Sequence, residues 1–312
     1  FSGRTELSAG SDNLIAGGLA LGGPIDGTDK RLQFRFSIYQ QQSDGFHHNL
    51  FHDRSDTMGR DELTTRAKLR ALVDNDTTVD LALLRVGLNN SYDAFALNNG
   101  FSTQSDRPGS DDQTTTGASL SVRTRLSPQV AINSISSTNR SEQLYSYDGD
   151  WGNNPFWGSN APYDYFSRTD RDRHTLSQEL RLILGPEDRR ELRGVLGLYG
   201  QRLTEGVHIV DSSDNLAYRE LSSDYRAETY ALFAEVQVPL YTRWNLKFGG
   251  REELRHMRYT DSSAAELSPD NSMLGGELAL SYELSEAASW YWSVSRGFKG
   301  GGVNPGTRVP LE

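Results

Sequence analysis

The chain has 312 residues, a formal net charge of −10 and no cysteine. Disulfides, thiolate metal sites and cysteine nucleophiles are therefore excluded, and so acidic a chain lacks the basic face that a nucleic-acid partner needs. No apolar stretch approaches the ~18 residues of a membrane-crossing helix, but membrane-crossing strands need only alternate and leave no such stretch.

The chain opens at Phe1 with neither a basic nor an apolar leader, and it is expected to be a piece of a longer protein. From there period two dominates. Leu32, Phe34, Phe36 and Ile38 alternate with Arg31, Gln33, Arg35 and Ser37. Leu120 and Val122 alternate with Ser119, Ser121 and Arg123, and Leu176, Leu180, Leu182 and Leu184 with Thr175, Ser177, Glu179 and Arg181. The same holds around Leu232 and Val236 against Glu235, and around Leu278 and Leu280 against Glu277. Side chains on a strand point to opposite faces in turn, so each run has one apolar and one polar face. Helical spacing does not persist anywhere.

Roughly thirteen strands are predicted, each of barrel-spanning length. In chain order they are Ser2–Ala9, Asn13–Gly22, Lys30–Gln42, Thr64–Val73, Thr78–Asn89, Thr115–Leu126 and Gln129–Arg140. Then follow Arg173–Leu184, Glu191–Gln201, Tyr225–Val238, Trp244–Tyr259, Met273–Leu284 and Trp290–Arg296. The connections alternate in length. Pro24–Asp29, Asp74–Thr77, Ser127–Pro128, Gly185–Arg190, Pro239–Arg243 and Ser285–Ser289 are short and carry turn residues. Ser43–Leu63, Asn90–Thr114, Ser141–Asp172, Arg202–Asp224 and Thr260–Ser272 are long, Ser141–Asp172 the longest. Short turns at one end and long loops at the other are the habit of an outer-membrane barrel. The expected fold is all-β, an antiparallel transmembrane barrel left incomplete, with its apolar face toward lipid.

The stretch Ser293–Asn304 reads S-V-S-R-G-F-K-G-G-G-V-N. Through Gly297, Phe298, Lys299, Gly301, Gly302 and Asn304 it resembles a motif of TonB-dependent outer-membrane receptors. Ser177–Leu182 is similar to the family's S-x-E-x-R-L strand. Asp44-Gly45-Phe46, Arg66-x-Lys68-Leu69 and Tyr147-x-Gly149-Asp150-Trp151 are similar to other family segments. The resemblance implies a barrel of about 22 strands, of which residues 1–312 supply roughly the first thirteen, with the N-terminal plug and the last barrel strands missing. It implies import of a scarce nutrient, most often a ferric siderophore, and no enzyme activity. It also implies four partners: outer-membrane lipid, the plug of the full-length protein, TonB through a segment absent here, and a small-molecule chelate. No resident cofactor or metal is implied; the iron belongs to the ligand. A passive porin-like channel and a soluble β-rich carbohydrate-active protein are the alternatives. An upstream plug would favour the receptor, and paired lumenal carboxylates ~5–9 Å apart would mark the enzyme.

Candidate ligand contacts lie in the long loops. Trp151, Phe156, Trp157, Tyr163 and Tyr165 crowd one loop, with Arg168 and Arg171 beyond them. Aromatic faces stack on flat or apolar parts of a chelator, and Arg pairs with its carboxylates. His47 and His48, with His52 and Asp53, share another loop and are candidates for touching a ferric chelate, although the partners of a closed metal site are not evident. Trp244, Trp290 and Trp292 follow short turns, as the rings of an interfacial aromatic girdle do.

Overall fold

The computed structural model describes residues 1–160, 164–185, 192–214, 216–303 and 310–311. Thirteen long strands form one antiparallel sheet, each paired with its neighbours in sequence. They are β1 (Ser2–Ala9), β2 (Ile15–Pro24), β3 (Leu32–Ser43), β4 (Arg60–Leu72), β5 (Thr77–Tyr92), β6 (Gly109–Ser127) and β7 (Val130–Asp148). The wall continues with β8 (Tyr165–Leu184), β9 (Arg193–Ser213), β10 (Leu216–Tyr241), β11 (Trp244–Asp261), β12 (Asp270–Ser285) and β13 (Ala288–Arg296). Among the described residues the sheet stays open between β1 and β13. Every strand that alternation predicted is present. Among the described residues helix is confined to one place: Asn154–Trp157 makes a single turn, capped by the Asn153 side chain on the Phe156 amide, and Gly158–Asn160 extends it.

Register shows what alternation does in three dimensions. Phe34, Leu69, Leu81 and Leu120 lie side by side across four strands. Leu180, Leu198 and Leu232 make another such row, and Val236, Phe248, Leu278 and Val294 a third. No second layer covers this face: Leu120 is 42% exposed, Leu180 44% and Leu232 50%. The apolar residues that are buried are mostly small, such as Ala16, Ala131, Ala227 and Ala231. Uncovered apolar surface on this scale is what a membrane or a partner covers. At the short-turn end Trp244 packs on Tyr282 at 4.6 Å between ring centres, with Trp290 next in the row.

The opposite face is polar and internally paired. Lys247 bridges Glu235 at 3.1 Å and Glu277 at 3.3 Å across three strands. Arg251 pairs with Glu253 and lies over the rings of Tyr199 and Phe233, 5.3 and 5.7 Å from their centres.

The expected strands need correction at one end. β6 and β7 run on to Gly109 and Asp148, and β8 begins at Tyr165 instead of Arg173. β9 and β10 continue to Ser213 and from Leu216, so the long loop expected over Arg202–Asp224 is a tall hairpin. The connection 149–164 is accordingly no longer than 44–59 or 93–108. The reason is physical. In the β8 extension both faces are polar: Arg168, Asp170 and Asp172 on one, Ser167, Thr169 and Arg171 on the other. The hydrogen-bond ladder continues while the alternation that reveals a strand disappears.

Candidate functional site

The long-loop end gathers three connections, 44–59, 93–108 and 149–164. They are tied by a buried polar knot. Asn49 is fully buried; its amide donates to Asp93 Oδ2 and to the Ser105 carbonyl, both at 2.8 Å, and its oxygen accepts from the His52 amide at 2.9 Å. Thr103, also buried, donates to the same Asp93 oxygen at 2.6 Å. Asn153 carries the knot into the third connection by donating to the Gln104 carbonyl at 2.7 Å. Groups this buried keep their place only because each finds a partner.

The candidate histidines are part of this framework. His47 meets the Asp93 carbonyl at 3.0 Å, His48 meets Ser55 Oγ at 3.0 Å and Asp53 at 3.2 Å, and His52 meets the Asp106 carbonyl at 2.9 Å. Among the described residues no three His, Asp or Glu are placed to hold a metal.

A wall of rings stands on the polar face at the same end of the sheet. Phe95 stacks on Trp151 at 5.1 Å with planes 10° apart. Phe95 also meets Tyr147 at 6.0 Å and Tyr92 at 5.9 Å, and Tyr92 meets Tyr145 at 5.0 Å. Of the predicted ring set, Trp151 belongs to this wall and is 41% exposed. Phe156 and Trp157 form a separate edge-on pair, and Trp157 covers Gly152. Tyr165 lies across Gly149, where a Cβ would fall 2.1 Å from its ring. Tyr163 and the motif's Asn304 lie outside the described residues. Tyr92, Phe95 and Tyr145 are not in the predicted ring set, and Tyr147 enters it only as part of a motif. The available signal was phase: Tyr145 and Tyr147 continue the odd-numbered, polar-face register of β7.

Charges at the mouth are mostly acidic or already paired. Arg107 bonds Asp164 at 3.2 Å and lies 4.4 Å over the Phe166 ring. Arg171 and Arg173 share Glu205. Arg168 is on the other face, bonded to Asp170 at 2.8 Å. Asp148, only 6% exposed, has its carboxyl pushed up to about 8 by burial and by neighbouring Asp150. Burial and the nearby Asp164 and Asp150 raise Asp106 as well. Burial and Asp211 push the Tyr165 phenol up to about 12. Such a surface can stack on flat groups and accept hydrogen bonds, and among the described residues it offers no free cation cluster to a polyanion.

At the far end of the sheet the glycine-rich stretch folds back onto the polar face. A Cβ on Gly275 would fall 2.9 Å from Phe298, and one on Gly300 would fall 3.1 Å from Arg255.

The family model described as TonB dependent receptor-like, beta-barrel, matches residues 10–309. The chain belongs to this family. Its fold is similar to that of the ferric yersiniabactin uptake receptor FyuA from Yersinia pestis, with TM-score 0.81 and 20% identity over 97% of this chain and 47% of that one. It is similar to the siderophore receptor PiuA from Acinetobacter baumannii, with TM-score 0.70 and 12% identity over 93% and 48% of the two chains. It is also similar to the copper transporter OprC, with TM-score 0.68 and 14% identity over 94% and 44%. The chain spans just under half the length of these structures. No curated protein sequence matches it. The likeness is one of fold, in a family of outer-membrane β-barrels.

Proposed function

We propose that this chain supplies wall and mouth to an outer-membrane receptor that binds a ferric siderophore-type chelate and imports it with energy delivered through TonB. Its apolar face meets lipid, its polar face meets the plug of the full-length protein, and its long loops meet the ligand. No covalent chemistry is involved. The observation that carries this reading is the ring wall of Tyr92, Phe95, Tyr145, Tyr147 and Trp151. It stands on the polar face at the long-loop mouth, where an incoming ligand first meets the receptor. Stacked aromatics with a few convergent polar groups are the usual make-up of a small-molecule seat. Paired arginines and raised carboxyls favour a neutral or mixed-charge chelate bearing aryl groups over a polycarboxylate.

The test uses the full-length receptor on cells with three iron-loaded probes: an aryl-bearing chelate, a hydroxamate and ferric citrate. The aryl-bearing chelate should bind most tightly. Trp151→Ala with Tyr147→Ala should weaken it about tenfold or more, since each stacked ring contributes ~1 kcal/mol. Unchanged affinity at normal surface expression would move the seat elsewhere.

A further inference from the structure

Three cations share one place on the polar face of β3 and β4. Arg35 stands directly opposite Lys68, and Arg66, two residues from Lys68 on the same face, stands opposite Ser37. Like charges directly opposite each other repel. All three are exposed, and none makes an ion pair or a side-chain hydrogen bond among the described residues. Phe34, Phe36 and Leu69 alternate with them on the apolar face, so the three lie behind the belt and away from the mouth.

No carboxylate of the described wall answers them. Ala82, Ser119 and Ser137 continue the Lys68 row, and Leu84, Gly117 and Asn139 the Arg66 row. On the other side the two rows pass through Gly22 and Ala20 to Ser2 and Arg4. The nearest acids by register are taken. Asp80 holds Arg70 through two bonds, at 2.7 and 3.1 Å, and Glu6 bonds Arg4 at 3.0 Å. Glu62, two rows nearer the mouth than Arg66, accepts from the Asn90 amide at 3.2 Å. Even with Glu62 set against them, the three cations keep a positive surplus. Further round the same face Lys247 is shared by Glu235 and Glu277, Arg251 pairs with Glu253, and Arg181 with Glu179.

We propose that this strip anchors the plug of the full-length protein through an acidic segment of that plug, whose carboxylates seat between Arg35, Arg66 and Lys68. The proposal rests on the reading that the polar face meets the plug. Two guanidinium forks and an ammonium are donors that carboxylates take. A passing chelate would offset the repulsion only while it is bound. The repulsion between Arg35 and Lys68 is permanent, so a resident partner is the occupant that offsets it.

The test is carbodiimide cross-linking of the full-length receptor in detergent, which joins an amine to a carboxylate already in contact, followed by peptide mass spectrometry. Lys68 should link to an Asp or Glu outside residues 1–312. Lys247 is the internal reference and should link to Glu235 or Glu277, which it meets at 3.1 and 3.3 Å. Arg35→Gln with Arg66→Gln should lower the Lys68 link about fivefold or more. That pair removes repulsion from the wall, so the denaturant stability of the barrel should not fall with it. Two results would overturn the anchorage. One is a Lys68 that stays unlinked and reacts with a water-soluble amine reagent as readily as Lys30 on its exposed turn. The other is a Lys68 shielded only when ferric citrate is added, which would make the strip a ligand site. Either result beside normal binding of the aryl-bearing chelate brings down the anchorage alone. Loss of the receptor reading would show instead as absent chelate binding, whatever Lys68 does.

Discussion

The apolar belt and the loop mouth of this wall are built on opposite plans. In the belt each residue is placed by alternation alone, and neighbours such as Leu180, Leu198 and Leu232 are interchangeable apolar surface. At the mouth position depends on particular bonds: Asn49 joins Asp93, Ser105 and His52 across two connections, and only Gln, one methylene longer, carries the same donors and acceptor. A belt position should therefore tolerate any apolar side chain and reject a charge. A mouth position should reject even a near-isostere that loses one bond.

That contrast can be broken most forcefully in the belt. Leu232→Arg puts a cation on the apolar face and should cost about 2–4 kcal/mol near the bilayer midplane, whereas Leu232→Ile should be close to neutral. Denaturant unfolding in lipid vesicles reads the difference, and a mild effect of the Arg would place the residue outside the hydrocarbon. At the mouth, Asn49→Ala leaves Asp93 short of a donor in a buried site and should cost about 2 kcal/mol. The loss should appear as protease cleavage within 44–59 and 93–108 while the sheet stays intact. Cleavage spreading into the strands would show that knot and wall are one cooperative unit.

Asp148 sharpens the comparison through pH. Its folded pKa, about 8, lies above its ordinary 3.8. Between those values the unfolded loop loses its proton while the folded one keeps it, so the stabilisation is complete below about pH 4 and is lost as pH rises toward 8. Cleavage in 149–164 should therefore slow as pH falls from 8 to 5, and Asp148→Asn should remove most of that dependence. A pH profile unchanged in the variant would assign it to other groups, such as Asp106. The smallest effect is expected from Arg168→Ala. Its pair with Asp170 is exposed on the outer face, so stability should move by no more than ~0.5 kcal/mol and ligand affinity not at all.

The same contrast explains what could be read from the sequence. Phe34, Leu120, Leu180, Leu232 and Leu278 announce their shared face because burial in one solvent and exposure to another force period two. The strands above the belt lose that signal: Arg168 to Asp172 are polar on both faces, so alternation begins β8 only at Arg173. Trp151 was identified as a candidate from its loop. Its partners were not, because Phe95 arrives from a different connection and Tyr145 from a strand extension, and only pairing brings them together. His47 and His52 stand out in the sequence by their ring nitrogens, and only the fold shows the Asp93 and Asp106 carbonyls that those nitrogens meet.

Accessibility along β8 and β9 tests most directly whether one ladder passes from a two-solvent belt into a fully wet mouth. Single cysteines from Thr169 to Ile183 and from Val195 to Ile209, in a chain with no cysteine of its own, would be labelled on whole cells with a water-soluble maleimide and quenched by lipid-borne nitroxide. The account predicts strict alternation of lipid quenching at Leu176, Leu180, Leu182, Leu196 and Leu198, with quenching lost above His174 and Arg202, where maleimide should reach both faces. Alternating lipid contact that persists up to Thr169 and Ile209, or none at Leu180 and Leu198, would contradict it.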